Sequence, residues 1–101
     1  MINIPSDTLN QVIKVISSFP NIKEAYLYGS RARGDHKLTS DIDIAILPDN
    51  VDPSLPRDVY AKLEEEVVTA LKFDILDIHT TNNPSLLSNI HRDKVLIYSK
   101  T

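Results

Sequence analysis

The stretch YGSRARGDHKLTSDIDIAIL, residues 28–47, holds both glycines of the chain, Gly29 and Gly34, and then the pair Asp41-Ile42-Asp43. Residues two apart on an extended strand project from one face, so Asp41 and Asp43 would bring two carboxylates close together. Like charges so placed repel, and one member holds its proton more tightly until a cation relieves the conflict. Hard oxygen ligands at this spacing suit Mg²⁺, which also takes ligands from substrate phosphates. Gly29-Ser30 supplies a complementary feature. A glycine between strand and helix lets a phosphate approach the main chain with no Cβ in the way. The helix start that follows offers N–H donors, and Ser30 adds a hydroxyl. Taken singly, the aspartates read as a solvated strand face and Gly-Ser as a simple turn. Taken together they are the equipment for gripping a nucleoside triphosphate.

Elements must position these groups. Residues 6–19 carry Leu9, Val12, Ile13 and Ile16 at helical spacing, with Ser6 or Asp7 placed to cap the first amides. Residues 25–28 form a short apolar run that predicts a strand leading into Gly29, and 30–33 a short helix closed by Gly34. Residues 41–47 alternate: Asp41, Asp43, Ala45 and Leu47 on one face, Ile42, Ile44 and Ile46 on the other. Pro48 should stop that strand and open a surface loop through Pro56. A helix is expected over 57–72, with Val59, Leu63, Val67, Ala70 and Leu71 inward. A third strand follows over 73–78, then a helix capped by Asn83, begun by Pro84 and ending near Ile90, then an edge strand over 95–98. Strands alternating with helices predict an α/β fold, a mixed sheet of about four strands with helices packed on it.

The 101 residues suit one domain, 42 % hydrophobic and 25 % charged, an ordinary balance for a soluble globular protein. The formal net charge of −3 argues against bulk attraction to nucleic acid or anionic membrane. Without cysteine, disulfides, thiolate catalysis and cysteine-ligated zinc are excluded, and the cytoplasm is the expected compartment. No signal-peptide layout is visible at the N-terminus, and no apolar run approaches the roughly 20 residues that span a bilayer. His36, His79 and His91 share no spacing that points to a common metal site, and Glu64-Glu65-Glu66 reads as the solvated side of a helix.

Gly29-Ser30, ten intervening residues and Asp41-Ile42-Asp43 resemble the signature of the polymerase-β-like nucleotidyltransferase superfamily. The wording GSRARG followed by SDIDIAI is similar to its minimal nucleotidyltransferase (MNT) branch, as is the later KFDILDIHTTNNPSLLSNIHRDKVLIY, so the resemblance covers nearly all of residues 1–101 as a single domain. It implies a third acid on a later strand. Asp74 and Asp77 are the candidates; their odd separation puts them on opposite faces, and Asp74 is the one at the position matching the family's third acid. The implied chemistry uses two Mg²⁺ ions held by Asp41, Asp43 and Asp74, with Gly29 and Ser30 steadying the triphosphate of ATP. Arg33 is a candidate nucleotide contact, whereas helical periodicity turns Arg31 about 200° away from it. Ser40 has a supporting place ahead of Asp41.

Long members of the superfamily add a domain for the acceptor, and nothing in this chain is left over for that task. The resemblance therefore implies a partner chain, a small helical HEPN-type toxin, whose tyrosine receives AMP from ATP with this chain as antitoxin. Two alternatives belong to other classes: an antitoxin that acts by binding alone, and a small-molecule (antibiotic) nucleotidyltransferase whose acceptor site is completed by another subunit. A polymerase role is disfavoured by the lack of a basic duplex-binding surface.

Overall fold

The computed structural model describes residues 4–35 and 39–100. The helices are α1 (Ser6–Ser17), α2 (Ser30–Arg33), α3 (Leu55–Glu66) and α4 (Pro84–Asp93). The strands are β1 (Ile22–Tyr28), β2 (Ile42–Pro48), β3 (Phe73–Asp77) and β4 (Val95–Ser99). The sheet order is β3-β2-β1-β4. β1 runs antiparallel to both β2 and β4, while β2 and β3 are parallel, joined through α3. The expected mixed four-stranded α/β fold is what forms, with β4 at an edge.

Alternation along β2 divides the interior. Ile42, Ile44 and Ile46 are fully buried and pack with Val12, Val15 and Ile16 of α1 and Val59 and Leu63 of α3. Each such side chain contributes roughly 1.5–3 kcal/mol by leaving water. On the opposite face a smaller cluster joins Tyr28 and Ala45 to Ile90 of α4, flanked by Leu76, Ile78 and Leu86. The sheet is thus thickly covered on one side and lightly on the other.

Several boundaries differ from expectation, each for a physical reason. α1 begins directly after Pro5 with no side-chain cap, so neither Ser6 nor Asp7 plays that part. β1 starts earlier because Ile22 is itself core and pairs with Pro48, which ends β2 from inside the strand. α3 starts at Leu55, with Pro56 in its first turn, where a missing N–H costs nothing. It stops at Glu66 because three glutamates crowd the negative end of the helix and β-branched Val67, Val68 and Thr69 follow. Val67 is extended but still buried, and the Val68 N–H donates to the Gln11 side chain of α1. Ala70, expected inward on that helix, lies exposed in the segment before β3. The Asn83 cap does form, accepting the Leu86 N–H at 3.2 Å, and α4 runs one turn past Ile90. No helix among the described residues is long and apolar enough to cross a membrane.

Candidate functional site

The C-terminal end of β1 and the N-terminal ends of β2 and β3 meet at one edge of the sheet. Register there sets Tyr28 opposite Asp43, and Asp43 beside Asp74. Three residues on three neighbouring strands therefore share one face, the face opposite the isoleucines. Asp41 lies one residue ahead of β2 rather than within it, and is exposed.

Gly29 is where the two halves of the motif touch. Its φ of +77° is a conformation that L side chains rarely adopt, and a Cβ placed on it would fall 2.3 Å from Asp43 Oδ2. The carboxylate of Asp43 thus lies directly against the main chain that opens α2. The Gly29 carbonyl accepts the Ala32 and Arg33 N–H groups, and Gly34, with φ +91°, closes the single turn by donating to the Ser30 carbonyl. Ser30 is half-buried beside this contact.

The electrostatics follow from the crowding. Burial, then Asp74, then Asp41 push the Asp43 carboxyl up from 3.8 to about 6, against a smaller opposing pull from Arg33. Tyr28, buried at 7 % exposure, is raised too, first by burial and then by the charges of Asp74 and Asp43. The phenol is thus buried within electrostatic reach of both acids.

The two candidates for a third acid separate cleanly. Asp74 is exposed next to Asp43. Asp77 is 3 % exposed, and its Oδ1 accepts the His79 N–H at 2.8 Å while its carbonyl accepts the Thr81 hydroxyl at 3.0 Å. Asp77 is committed to the turn after β3. Arg33 is turned toward acids as well: it bonds Asp35 at 3.1 Å and Asp93 of α4 at 2.9 Å, and its charge still reaches Asp43.

Sequence reasoning missed three participants. Arg31, only 4 % exposed, donates from Nε to the Ser40 carbonyl at 3.0 Å and so fixes the approach to Asp41. The 200° separation from Arg33 was its signal, since a residue that cannot share a ligand with Arg33 must face elsewhere, here inward. Tyr28 carried no mark beyond its place before Gly29. The third is a cavity of about 380 Å³ between the segments entering β2 and β3, lined by Thr39, Asp41, Ala70, Leu71 and Lys72. Nothing local in the sequence joins residues so far apart. His79 and His91 are exposed and apart from the acids; His36 lies outside the described residues.

The donor set fits a hard cation. Among the described residues no three acidic or histidine side chains form a ready-made metal cage. Mg²⁺ does not require one, because it is held by one or two carboxylates, waters and substrate phosphates. Asp43 and Asp74, all-oxygen and adjacent, with the Asp43 carboxyl raised by burial and then by its acidic neighbours, meet that description.

Comparison with known proteins bears on the family and the fold. A family model described as polymerase beta, nucleotidyltransferase, matches residues 10–101. A Methanocaldococcus jannaschii protein named as a protein adenylyltransferase is 31 % identical over 87 residues, 83 % of this chain and 85 % of the relative. Among solved structures, a toxin–antitoxin complex with AMP-PNP superposes with a TM-score of 0.75 at 23 % identity, covering 92 % of this chain and 74 % of that one. The complex of a tri-AMPylated Shewanella oneidensis HEPN toxin with its MNT antitoxin gives 0.68 at 21 %, covering 92 % and 71 %. A nucleotidyltransferase from Sulfolobus solfataricus gives 0.57 at 28 %, covering 94 % and 79 %.

Proposed function

The chain belongs to the polymerase β nucleotidyltransferase family, and from that premise we propose that it transfers AMP from ATP to a tyrosine of a HEPN-type partner toxin, acting as its antitoxin. The observation that carries this reading is the contact of Gly29 with Asp43, in register with Asp74. It joins a place for a polyphosphate to a place for cations around one nucleotide.

The roles follow from position. The main chain at Gly29 and the Ser30 hydroxyl would hold the β- and γ-phosphates, since no side chain intervenes there. Asp41, Asp43 and Asp74 would hold Mg²⁺, whose bound charge lowers the pKa of the attacking hydroxyl and offsets charge on the phosphates. Asp74, open to solvent beside Asp43, accepts the proton of the acceptor hydroxyl. Arg33, held by Asp35 and Asp93, contributes positive charge at the nucleotide side. The support for the partner is the likeness to MNT antitoxins seen with HEPN toxins, and for the transferred group, the relative named as a protein adenylyltransferase.

The experiment combines this chain with its helical partner, ATP and Mg²⁺, and weighs the intact partner. The expected result is a mass gain in whole AMP units with loss of the partner's toxicity, abolished by EDTA. An unmodified, still active partner would sink the proposal. Neutralisation that survives Asp41→Asn with Asp43→Asn would show an antitoxin that works by contact alone.

A further inference from the structure

We propose that Asp93, the last residue of α4, is a positioning residue for the nucleotide: it fixes the Arg33 guanidinium so that the donors left over meet oxygens of the triphosphate. The inference rests on the transfer reading above and deepens it by assigning the part of the site that α4 supplies.

Asp93 stands where its own helix would not put an acid. The last turn of a helix carries partial negative charge, which suits His91 and Arg92 there and opposes a carboxylate. The Asp93 side chain is nevertheless only 5 % exposed. Two guanidiniums compensate. Arg92 binds both oxygens, Nε donating to Oδ1 at 2.8 Å and Nη2 to Oδ2 at 3.0 Å, while Arg33 Nη1 donates to Oδ2 at 2.9 Å. Hydrogen bonding from Arg92, opposed by burial and joined by Arg33, brings the Asp93 carboxyl down to about 2, so it is charged throughout the neutral range. Arg92 is its neighbour in sequence, but Arg33 is 60 positions away, at the end of α2. That bond fastens the turn after β1 to the helix that covers the lighter face of the sheet.

What the bond leaves open matters as much as what it holds. A guanidinium carries five N–H donors in one rigid plane. Arg33 commits its Nε–H to Asp35 at 3.1 Å and one Nη1–H to Asp93, and the remaining donors have no partner among the described residues. Held at Nε by one acid and at Nη1 by another, the plane has a set orientation. Arg33 lies one helical turn beyond Ser30, on the same side of α2, and its charge reaches Asp43. Its open donors therefore belong to the side where Gly29 and Ser30 would seat the phosphates. A planar fork is also the geometry that takes two oxygens of one phosphate. A free arginine gives up its rotamer freedom when a ligand arrives, whereas this one has given it up beforehand.

The sign of one affinity change tests this. Asp93→Ala removes a negative charge near the seat of a polyanion, so Coulomb attraction alone would tighten nucleotide binding. Loss of positioning does the opposite. In calorimetric titration of the full chain with α,β-methylene-ATP and Mg²⁺, Asp93→Ala should raise Kd about three- to tenfold. Asp93→Asn keeps the shape and an oxygen for Arg33 but makes weaker bonds than a carboxylate. It should raise Kd by less, and it guards against a folding defect in the alanine variant. In an Arg33→Ala background, removing the Asp93 carboxylate should change Kd by less than about twofold, since no guanidinium is left to position. Unchanged or tighter binding in the single variants overturns the proposal. So does a loss that persists without Arg33, which would make Asp93 a tie of the fold alone, and so does a parent chain that fails to bind the analogue. Transfer is read separately: a parent chain that binds the analogue but modifies no partner ends the transfer reading, while the affinities still decide the role of Asp93.

Discussion

β2 lives in two environments at once. Ile42, Ile44 and Ile46 are fully buried under α1 and α3, whereas Asp43, between two of them, faces other acids and is only half-buried. Along one strand, alternate residues hold the fold together and strain it. Three buried isoleucines contribute roughly 1.5–3 kcal/mol each. On the other face, burial of the Asp43 carboxyl and then the charges of Asp74 and Asp41 raise it from 3.8 to about 6, a cost of about 1–2 kcal/mol once partial exposure is allowed for. The hydrophobic side exceeds the electrostatic side, and that surplus lets a small sheet carry a charged site at its rim. The contrast makes opposite predictions for substitutions one residue apart.

The largest effect belongs to the acidic face and to chemistry. Asp43→Asn should lower AMP transfer on the order of a thousandfold, about 4 kcal/mol of barrier, while leaving the circular dichroism spectrum unchanged. Ile44→Ala, the next position along, should do the reverse. It should lower unfolding free energy by about 2–5 kcal/mol in urea, yet leave residual transfer proportional to the folded fraction. If both variants fell in the same way, the division of labour along β2 would be wrong.

Gly29→Ala comes next and couples the two sides. Positive φ with ψ −156° is a region essentially confined to glycine and alone costs roughly 1–3 kcal/mol for an L residue, and the contact with Asp43 adds to it. The thermal midpoint should drop with nucleotide affinity. Restoration of nucleotide affinity in Gly29→Ala with Asp43→Ala, measured with a non-hydrolysable ATP analogue, would assign the defect to that contact.

The smallest effect is a pH dependence. The folded state holds the Asp43 proton more tightly than the unfolded chain does. Its contribution to stability is therefore fully present below about pH 4 and is lost as pH rises through about 6. Asp43→Asn should thus exceed the parent in stability above about pH 6, by about 1–2 kcal/mol, and converge with it near pH 4. Thermal melts of both proteins across that range provide the check, and Mg²⁺ with ATP should narrow the gap at neutral pH.

The two faces also differ in how legible they were. The isoleucine face was written in residue types at period two, and Gly29-Ser30 and Asp41-Ile42-Asp43 in local spacing. What joins them was not: Asp43 meets Gly29 through strand register, which no short window of sequence encodes. Parity alone separated Asp74 from Asp77, but only the pairing of Asp43 with Asp74 and the turn bonds of Asp77 say which side each occupies. The end of α3 was misread because apolar Val67, Ala70 and Leu71 continued a helical stripe past the point where glutamates and β-branched residues end the helix. Periodicity records which residues want to be inside and not whether a helix carries them there.

The buried guanidinium of Arg31 has one further consequence. It belongs to the first half of the motif and fastens, at the Ser40 carbonyl, the residue preceding the second half. That single bond ties the two halves of the motif to each other across nine positions of chain, through a planar donor and a main-chain acceptor. Lysine in place of Arg31 would keep the charge but not the planar Nε donor that makes the tie.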